Sequence, residues 1–222
     1  MSLLSDWLFT SAFGIYMAAA LLGAAEWSLT RYSGGAPRAA IRCGRMGVAL
    51  TVLGAGLHLG SLVLRGVAAQ RVPWGNLYEY MSSVGLIAVA AWLYLVWRHN
   101  VRRLSVFVLL PLALLLFIGG NQLYAEVAPL QPALRSYWIA IHVAAAIMAS
   151  GVFLLSGIVS ALHLWAEHRP VKRLPPAEHL DRVAYRTGTF GFVTLTFAII
   201  TGAVWAEAAW GRYRKVGLCS AL

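Results

Sequence analysis

The stretch "YWIAIHVAAAIMASGVFLLSGIVSALHLW", residues 137–165, contains no aspartate, glutamate, lysine or arginine. Apolar segments of about 18 or more residues are typical of membrane-crossing helices, because about 20 residues at about 1.5 Å each cover about 30 Å of hydrocarbon. A soluble domain carries about 25% charged residues, whereas this 222-residue chain has 12%. The stretch therefore predicts an integral membrane protein.

Other apolar runs along the chain have the same character. The predicted membrane spans are 7–26, 46–64, 80–97, 104–124, 137–165 and 189–210. The first is not expected to be a cleavable signal peptide, because Asp6 precedes it where a basic residue would stand. Segment 166–188, which contains three prolines, is predicted to be a short connector. The predicted fold is an all-α membrane protein of about six helices without a soluble domain.

The net charge of +10 comes from basic residues that are distributed unevenly between the two sides of the predicted bundle. Twelve of the 18 lysines and arginines fall in loops 29–45, 98–103 and 166–188, which all lie on one side. The positive-inside bias makes that side cytoplasmic, so both termini are predicted to be extracytoplasmic. We interpret the charge as a topology signal, and no nucleic-acid partner is expected.

Aromatic residues and one histidine collect at the outer boundary of the predicted bundle. They are Trp74 in the loop "RVPWGNLYEY" (71–80), Trp138, His142, Trp205 and Trp210. One interpretation is an aromatic belt at the level of the lipid headgroups. The other is a platform for a flat aromatic macrocycle beside an imidazole, a demand that heme fits because imidazole is a common axial ligand of its iron.

Two of the six histidines, His58 and His142, lie inside predicted spans and away from their cytoplasmic ends. His142 follows Trp138 by one helical turn and is the leading candidate for an iron ligand; the alternative is a hydrogen bond to a neighbouring helix. His58 lies near the middle of the second span, where ionisable groups are often functional. Arg65 lies on the same helical face and could meet a propionate or a lipid phosphate. The alternative is a neutral His58 bonded to a helix partner, with Arg65 extending toward the membrane surface.

The remaining polar residues suggest little further chemistry. His99, His163, His168 and His179 are expected to be solvated or interfacial at the cytoplasmic side. Glu79 and Glu207 are read as solvated span ends, or as partners of a ligand or of a nearby arginine. Cys43 and Cys219 are predicted on opposite sides of the membrane, and the sequence has no CxxC motif.

Three stretches together resemble one known family. They are "AQRVPWGNLYEYMSS" (69–83), "SYWIAIHVAAAIMASGVFLLSG" (136–157) and "DRVAYRTGTFGFVTLTFAIITGAVWAEAAWGRY" (181–213). In this order they resemble the entry segment, the histidine-bearing helix and the approach to the tryptophan-rich WWD segment of the CcsA/ResC family of cytochrome c biogenesis proteins. The family is also called CcsB in high-GC Gram-positive bacteria.

The resemblance implies a System II role in a bacterial cytoplasmic membrane. Heme b would be the transported substrate, handled with a ResB-like membrane partner, surrounded by membrane lipid and presented on the outer face to the CxxCH motif of apocytochrome c. Residue by residue, His142 matches the family's first external heme ligand. Trp205 and Trp210, with Gly211, match the start of the WWD segment, and Trp74, Asn76, Tyr78 and Glu79 match the entry loop. No catalytic residue is assigned to this chain.

The chain departs from the family after Tyr213. Members continue into Trp-x-Trp-Asp and two further spans with a second external ligand, whereas here Arg214 to Leu222 follow. We expect residues 1–213 to be the N-terminal part of an assembly domain and 214–222 to be an anomalous tail, left by truncation or a frameshift, that impairs heme attachment. The alternatives are a heme exporter without covalent attachment and a non-catalytic membrane scaffold.

Overall fold

A computed structural model of the chain describes residues 2–32, 37–99, 101–128, 136–169 and 174–210. The described residues form six long α-helices. They are α1 (Ser2–Tyr32), α2 (Arg38–Ala69), α3 (Leu77–His99), α4 (Ser105–Gln122), α5 (Tyr137–His168) and α6 (Ala177–Trp210). A single 3₁₀ turn, Arg102–Leu104, leads into α4. No β-strand occurs among these residues.

Each of the six helices is long and apolar enough to cross a membrane, and each corresponds to one predicted span. The fourth helix ends at Gln122, two residues before the end of the predicted span 104–124. Large apolar side chains are exposed on the outside of the bundle, among them Phe192 and Ile199 of α6. Exposed apolar surface on this scale is expected of helices that face lipid. The predicted all-α fold with six membrane-spanning helices is confirmed, while the side on which the termini lie stays a prediction.

The bundle is built from two helical hairpins with α3 and α4 between them. Helix α1 packs along α2, α5 packs along α6, and α3 contacts α2, α4 and α5. The α1–α2 contact is close because α2 presents glycines: a Cβ on Gly54 would lie 2.8 Å from the Tyr16 ring. Small residues at helix contacts are the usual means of bringing membrane helices together. Trp92 of α3 is 1% exposed and is one of the largest side chains of the core.

The predicted connector 166–188 is wrong at both ends, because α5 continues to His168 and α6 already begins at Ala177. The Pro176 carbonyl accepts hydrogen bonds from the backbone N–H groups of His179 and Leu180, so the prolines precede the helix rather than interrupt it. Leu180 and Val183 are buried in the core. This first part of α6 is amphipathic, with charged residues among the apolar ones, so a search for uncharged runs does not find it.

A buried ion pair joins helices at the end of the bundle that carries the basic loops. Glu26 of α1 is 1% exposed, and its Oε1 accepts hydrogen bonds from Arg102 Nε at 3.1 Å and Nη2 at 2.8 Å. A Cβ on Gly44 of α2 would overlap the Glu26 carboxylate. Arg102 therefore holds helix ends together in addition to contributing to the charge asymmetry.

Candidate functional site

His142 lies on the face of α5 that packs against α6. Its Nδ1 is 2.7 Å from the carbonyl oxygen of Ala198. A carbonyl oxygen can only accept, so Nδ1 carries a proton, and in the singly protonated ring the lone pair lies on Nε2. Among the described residues Nε2 has no hydrogen-bond partner. Metal-binding histidines commonly donate their second N–H to a carbonyl in this way, which orients the ring.

A glycine makes this contact possible. A Cβ on Gly202 would lie 2.6 Å from His142 Nδ1 and 2.8 Å from its Cε1, closer than real Cβ atoms come. The imidazole therefore lies directly on the backbone of α6. Our reading of the sequence did not find Ala198 and Gly202. Their signal is two small residues four positions apart, which is typical of a helix face in close contact with another helix.

Three of the predicted tryptophans belong to the same pair of helices. Trp138 lies one turn from His142 toward the start of α5, and its backbone N–H donates to the Ser136 hydroxyl, which caps the helix. Trp205 lies three residues beyond Gly202 toward the end of α6. Trp210 is the last residue of α6, and its side chain lies outside the described part of the chain, as do Gly211 and the predicted tail 214–222. The antiparallel hairpin thus brings His142, Trp138 and Trp205 to one end of the bundle.

Trp74 is separated from this group by the width of α5. It lines a cavity of about 830 Å³ between α2, α3 and α5, together with Ala144 and Met148 of α5. At 3.6 residues per turn, Ala144 and Met148 lie on the side of α5 away from His142. The structure therefore places Trp74 at the same end of the bundle as His142 but does not bring the two residues together.

The loop that contains Trp74 is organised around a buried carboxylate. Glu79 is fully buried, and it accepts hydrogen bonds from Arg65 Nε at 2.9 Å, Arg71 Nη1 at 2.7 Å and the Gly75 backbone N–H at 2.7 Å. Arg65 is 1% exposed and donates as well to the carbonyl of Ala125. Glu79 was expected to be either a solvated span end or a partner of a ligand or arginine, and in the structure it pairs with two arginines. Arg65 is committed to this buried cluster and does not extend to the membrane surface.

The residues of the loop around Glu79 have separate structural roles. Asn76 Oδ1 accepts a hydrogen bond from the backbone N–H of Glu79 at 2.8 Å and so caps the start of α3. A Cβ on Gly75 would lie 2.6 Å from Arg71 Nη1. The guanidinium of Arg65 lies over the Tyr78 ring, 4.7 Å from its centroid. The segment from Gly75 to Glu79 therefore anchors the α2–α3 loop.

The buried cluster extends to α1 and to the segment after α4. The Tyr124 hydroxyl donates to Asp6 Oδ2 at 3.0 Å, and Asp6 Oδ1 lies 3.9 Å from Arg65 Nη1. The pKa of Tyr124 is raised, first because partial burial removes water from its hydroxyl, and then because Asp6 bonds to the neutral form and repels the phenolate. The cluster thus joins four segments at this end of the bundle.

His58 lies in the core of the bundle. It is fully buried, its Nε2 is 2.9 Å from the Ser82 hydroxyl of α3, and its Nδ1 is 3.4 Å from the Tyr16 hydroxyl of α1. Both ring nitrogens therefore have partners on neighbouring helices. This arrangement matches the neutral, hydrogen-bonded alternative considered for His58.

The remaining predicted polar residues do not gather around His142. His163 and His168 lie near the opposite end of α5, and Glu207 is exposed near the end of α6. Within the described residues, no group of three or more histidine, cysteine, aspartate or glutamate side chains could hold a metal ion. A single imidazole suits iron that a macrocycle already chelates, because heme needs only axial ligands from the protein.

Fold and site together define a polytopic membrane protein that presents one imidazole between helix ends rich in tryptophan. The family model described as Cytochrome C assembly protein matches residues 74–215, more than half of the chain. The chain belongs to this cytochrome c assembly family, as the sequence resemblance predicted.

Curated relatives are cytochrome c biogenesis proteins named CcsA. The protein from Cyanophora paradoxa is 26% identical over 204 residues, covering 68% of this chain and 63% of the relative. The protein from Prochlorococcus marinus strain NATL2A is 31% identical over 189 residues, covering 68% and 60%. The protein from strain MIT 9303 is 29% identical over 240 residues, covering 91% and 73%. The chain spans about three fifths of the length of the first two of these relatives.

Proposed function

We propose that this membrane protein handles heme b during cytochrome c assembly and that His142 is an axial ligand of the heme iron. The observation that carries the proposal is the hydrogen bond from His142 Nδ1 to the Ala198 carbonyl. It directs the ring lone pair to Nε2, the atom that would bind iron, and holds the ring in one orientation.

The surroundings of His142 supply the second requirement, which is a large apolar contact surface. Trp138 and Trp205 lie one turn from His142 and Gly202, respectively, on the two helices that meet here, and Trp210 ends α6. Indole rings offer broad apolar faces against which a flat macrocycle can lie. His58 is left out of the proposed site because its ring nitrogens contact Ser82 and Tyr16.

In the full proposal, the heme is presented on the extracytoplasmic face of a bacterial cytoplasmic membrane. A ResB-like membrane protein would be the partner, and the CxxCH motif of apocytochrome c would receive the heme. The family supports this assignment, and so does the clustering of His142 and the tryptophans at the end of the bundle opposite the basic loops. A heme exporter would share the ligand and the platform without the covalent step.

Heme binding is tested on the purified full chain in detergent with added hemin. The wild-type protein should show a Soret band shifted from that of free hemin. His142→Ala should lose this band, and added imidazole should restore it by replacing the missing ligand. His168→Ala is the matched control, because His168 lies on the same helix but at its opposite end. A shifted band that survives in His142→Ala would reject His142 as the ligand, and no band in any variant would favour the membrane scaffold.

The assembly role is tested separately in cells that express an apocytochrome c and a ResB-like protein with this chain. Assembly predicts that the two membrane proteins co-purify and that covalently attached heme depends on His142. Heme that accumulates outside the cells without thioether attachment would favour the exporter.

A further inference from the structure

A second cavity lies at the opposite end of the bundle, between α3, α5 and α6. It has a volume of about 560 Å³, within the range of about 300–1,000 Å³ that is usual for ligand sites. Its walls are mainly apolar, and they include Tyr94, Leu95, Val152 and Phe190. None of these residues belongs to the candidate heme site.

The rim of this cavity is basic. Arg98 and His99 at the end of α3 line it together with Arg186 of α6. The His99 ring lies 5.8 Å from the ring of His179, also on α6. Among the described residues, no carboxylate forms an ion pair with Arg98 or Arg186. Two arginines from different helices thus line one apolar cavity, and neither has a carboxylate partner in the part of the chain that the structure describes.

The cavity also lies where α6 comes near α3. Helix α6 packs mainly against α5, and residues of α3 and α6 face each other across the cavity and in the His99–His179 ring contact. Tyr94 and Phe190 line the cavity and are each about half exposed, 54% and 53%, so the space is accessible from the lipid-facing surface of the bundle. A molecule with an apolar chain and an anionic head would fill the gap and neutralise the rim.

We propose that this cavity binds an anionic phospholipid, with its phosphate at Arg98 and Arg186 and an acyl chain between Tyr94 and Phe190. The basic loops predict that this end faces the cytoplasmic leaflet, whose anionic lipids attract basic residues near the membrane surface. The bound lipid would join α6 to α3. This inference is independent of the proposed heme site.

The test measures lipid binding to the full chain by native mass spectrometry with phosphatidylglycerol or phosphatidylcholine. The wild type should prefer phosphatidylglycerol. Each arginine should contribute about fivefold, the equivalent of about 1 kcal/mol for a basic residue near an anionic surface. Arg98→Gln with Arg186→Gln should therefore lower the affinity by about 25-fold. Arg182→Gln is the matched control, because it removes an exposed arginine one turn earlier on α6 that does not line the cavity, and it should change the affinity by less than twofold.

A second variant tests the apolar part of the site. Ala91→Phe adds a ring within the cavity wall and should weaken binding of the two-chain lipid while both arginines remain. Thermal unfolding shows whether each variant is folded; if Ala91→Phe is not, the arginine variants decide the question. Equal affinity for the two lipids, or an equal loss in Arg182→Gln, would overturn the proposal. So would equally strong competition by glycerol phosphate, which would indicate a soluble anion, or displacement of the lipid by metal-free protoporphyrin, which would indicate a tetrapyrrole site.

Discussion

Arg71 and Glu79 form a buried ion pair across the α2–α3 loop, with Nη1 and Oε2 2.7 Å apart. The Glu79 carboxylate is fully buried, and Arg65 binds it from the side of α2. Attraction between buried charges is offset by their loss of hydration, so the intact cluster adds little net stability. Its main effect is to hold the α2–α3 loop in one conformation. Removing one charged partner is expected to be destabilising, because the remaining charges stay buried without compensation.

Glu79→Gln should therefore be strongly destabilising. The change keeps the shape of the side chain but leaves the charges of Arg65 and Arg71 without their shared anion. The expected cost is about 3–5 kcal/mol of unfolding free energy, measured by reversible unfolding in detergent micelles or by the shift in Tm. Glu207→Gln is the control, since Glu207 is exposed near the end of α6, and its effect should stay within about 0.5 kcal/mol. Equal stability of the two variants would show that the cluster is not coupled to folding.

Gly75→Ala should disturb the same cluster without changing any charge. Its Cβ would lie 2.6 Å from Arg71 Nη1, so the guanidinium must move away from Glu79. Forcing an extra carbon into a packed site typically costs about 1–3 kcal/mol. Gly157→Ala on α5 is matched to it, because a Cβ there meets nothing within 4 Å. If the two alanine variants unfold at the same temperature, the Arg71 side chain is more adaptable than its buried contacts indicate.

Gly202→Ala should weaken heme binding although Gly202 is not a ligand. The new Cβ would displace the His142 ring from the Ala198 carbonyl, so the ring would lose the bond that orients it. Loss of a partner that orients a ligand typically lowers metal affinity by about 10–100-fold. The measurement is hemin titration followed by the Soret band, with Gly157→Ala as control. A purely structural role predicts a lower Tm with unchanged hemin affinity in the fraction that is folded.

His58→Ala should lower the stability of the protein but leave heme binding unchanged. It removes a fully buried ring from between α1, α2 and α3, so it should cost about 2–5 kcal/mol of stability by leaving a cavity. Hemin affinity should stay within about twofold of the wild type, because His58 is not in the proposed site. Ser82→Ala removes only the partner of Nε2 and should cost about 1 kcal/mol. Loss of the Soret band in His58→Ala at full stability would restore His58 as a heme-binding residue.

Some features of this protein could be predicted because they depend on one segment at a time. A helix in hydrocarbon must be apolar over its whole length, so the run from Tyr137 to Trp165 identifies a span without reference to its neighbours. Because successive spans cross the membrane in opposite directions, the order of the spans then places Trp74, His142 and Trp205 at the same end of the bundle. The amphipathic start of α6 could not be predicted in this way, because it is not apolar over its whole length. Leu180 and Val183 are recognised as core residues only when the helices that they contact are known.

The contacts between helices were decided by the tertiary structure. The sequence spacing predicts that His142 follows Trp138 by one helical turn. Only the packing of α5 on α6 shows that the Ala198 carbonyl orients the His142 ring and that Gly202 leaves room for it. Glu79 likewise had two readings until Arg65 and Arg71 were found around it. Hydrophobicity acts along each segment and can be read from it, whereas hydrogen bonds and close approaches join residues far apart in the chain. The sequence by itself thus determined the membrane spans, and the packing of those spans decided which polar side chains meet.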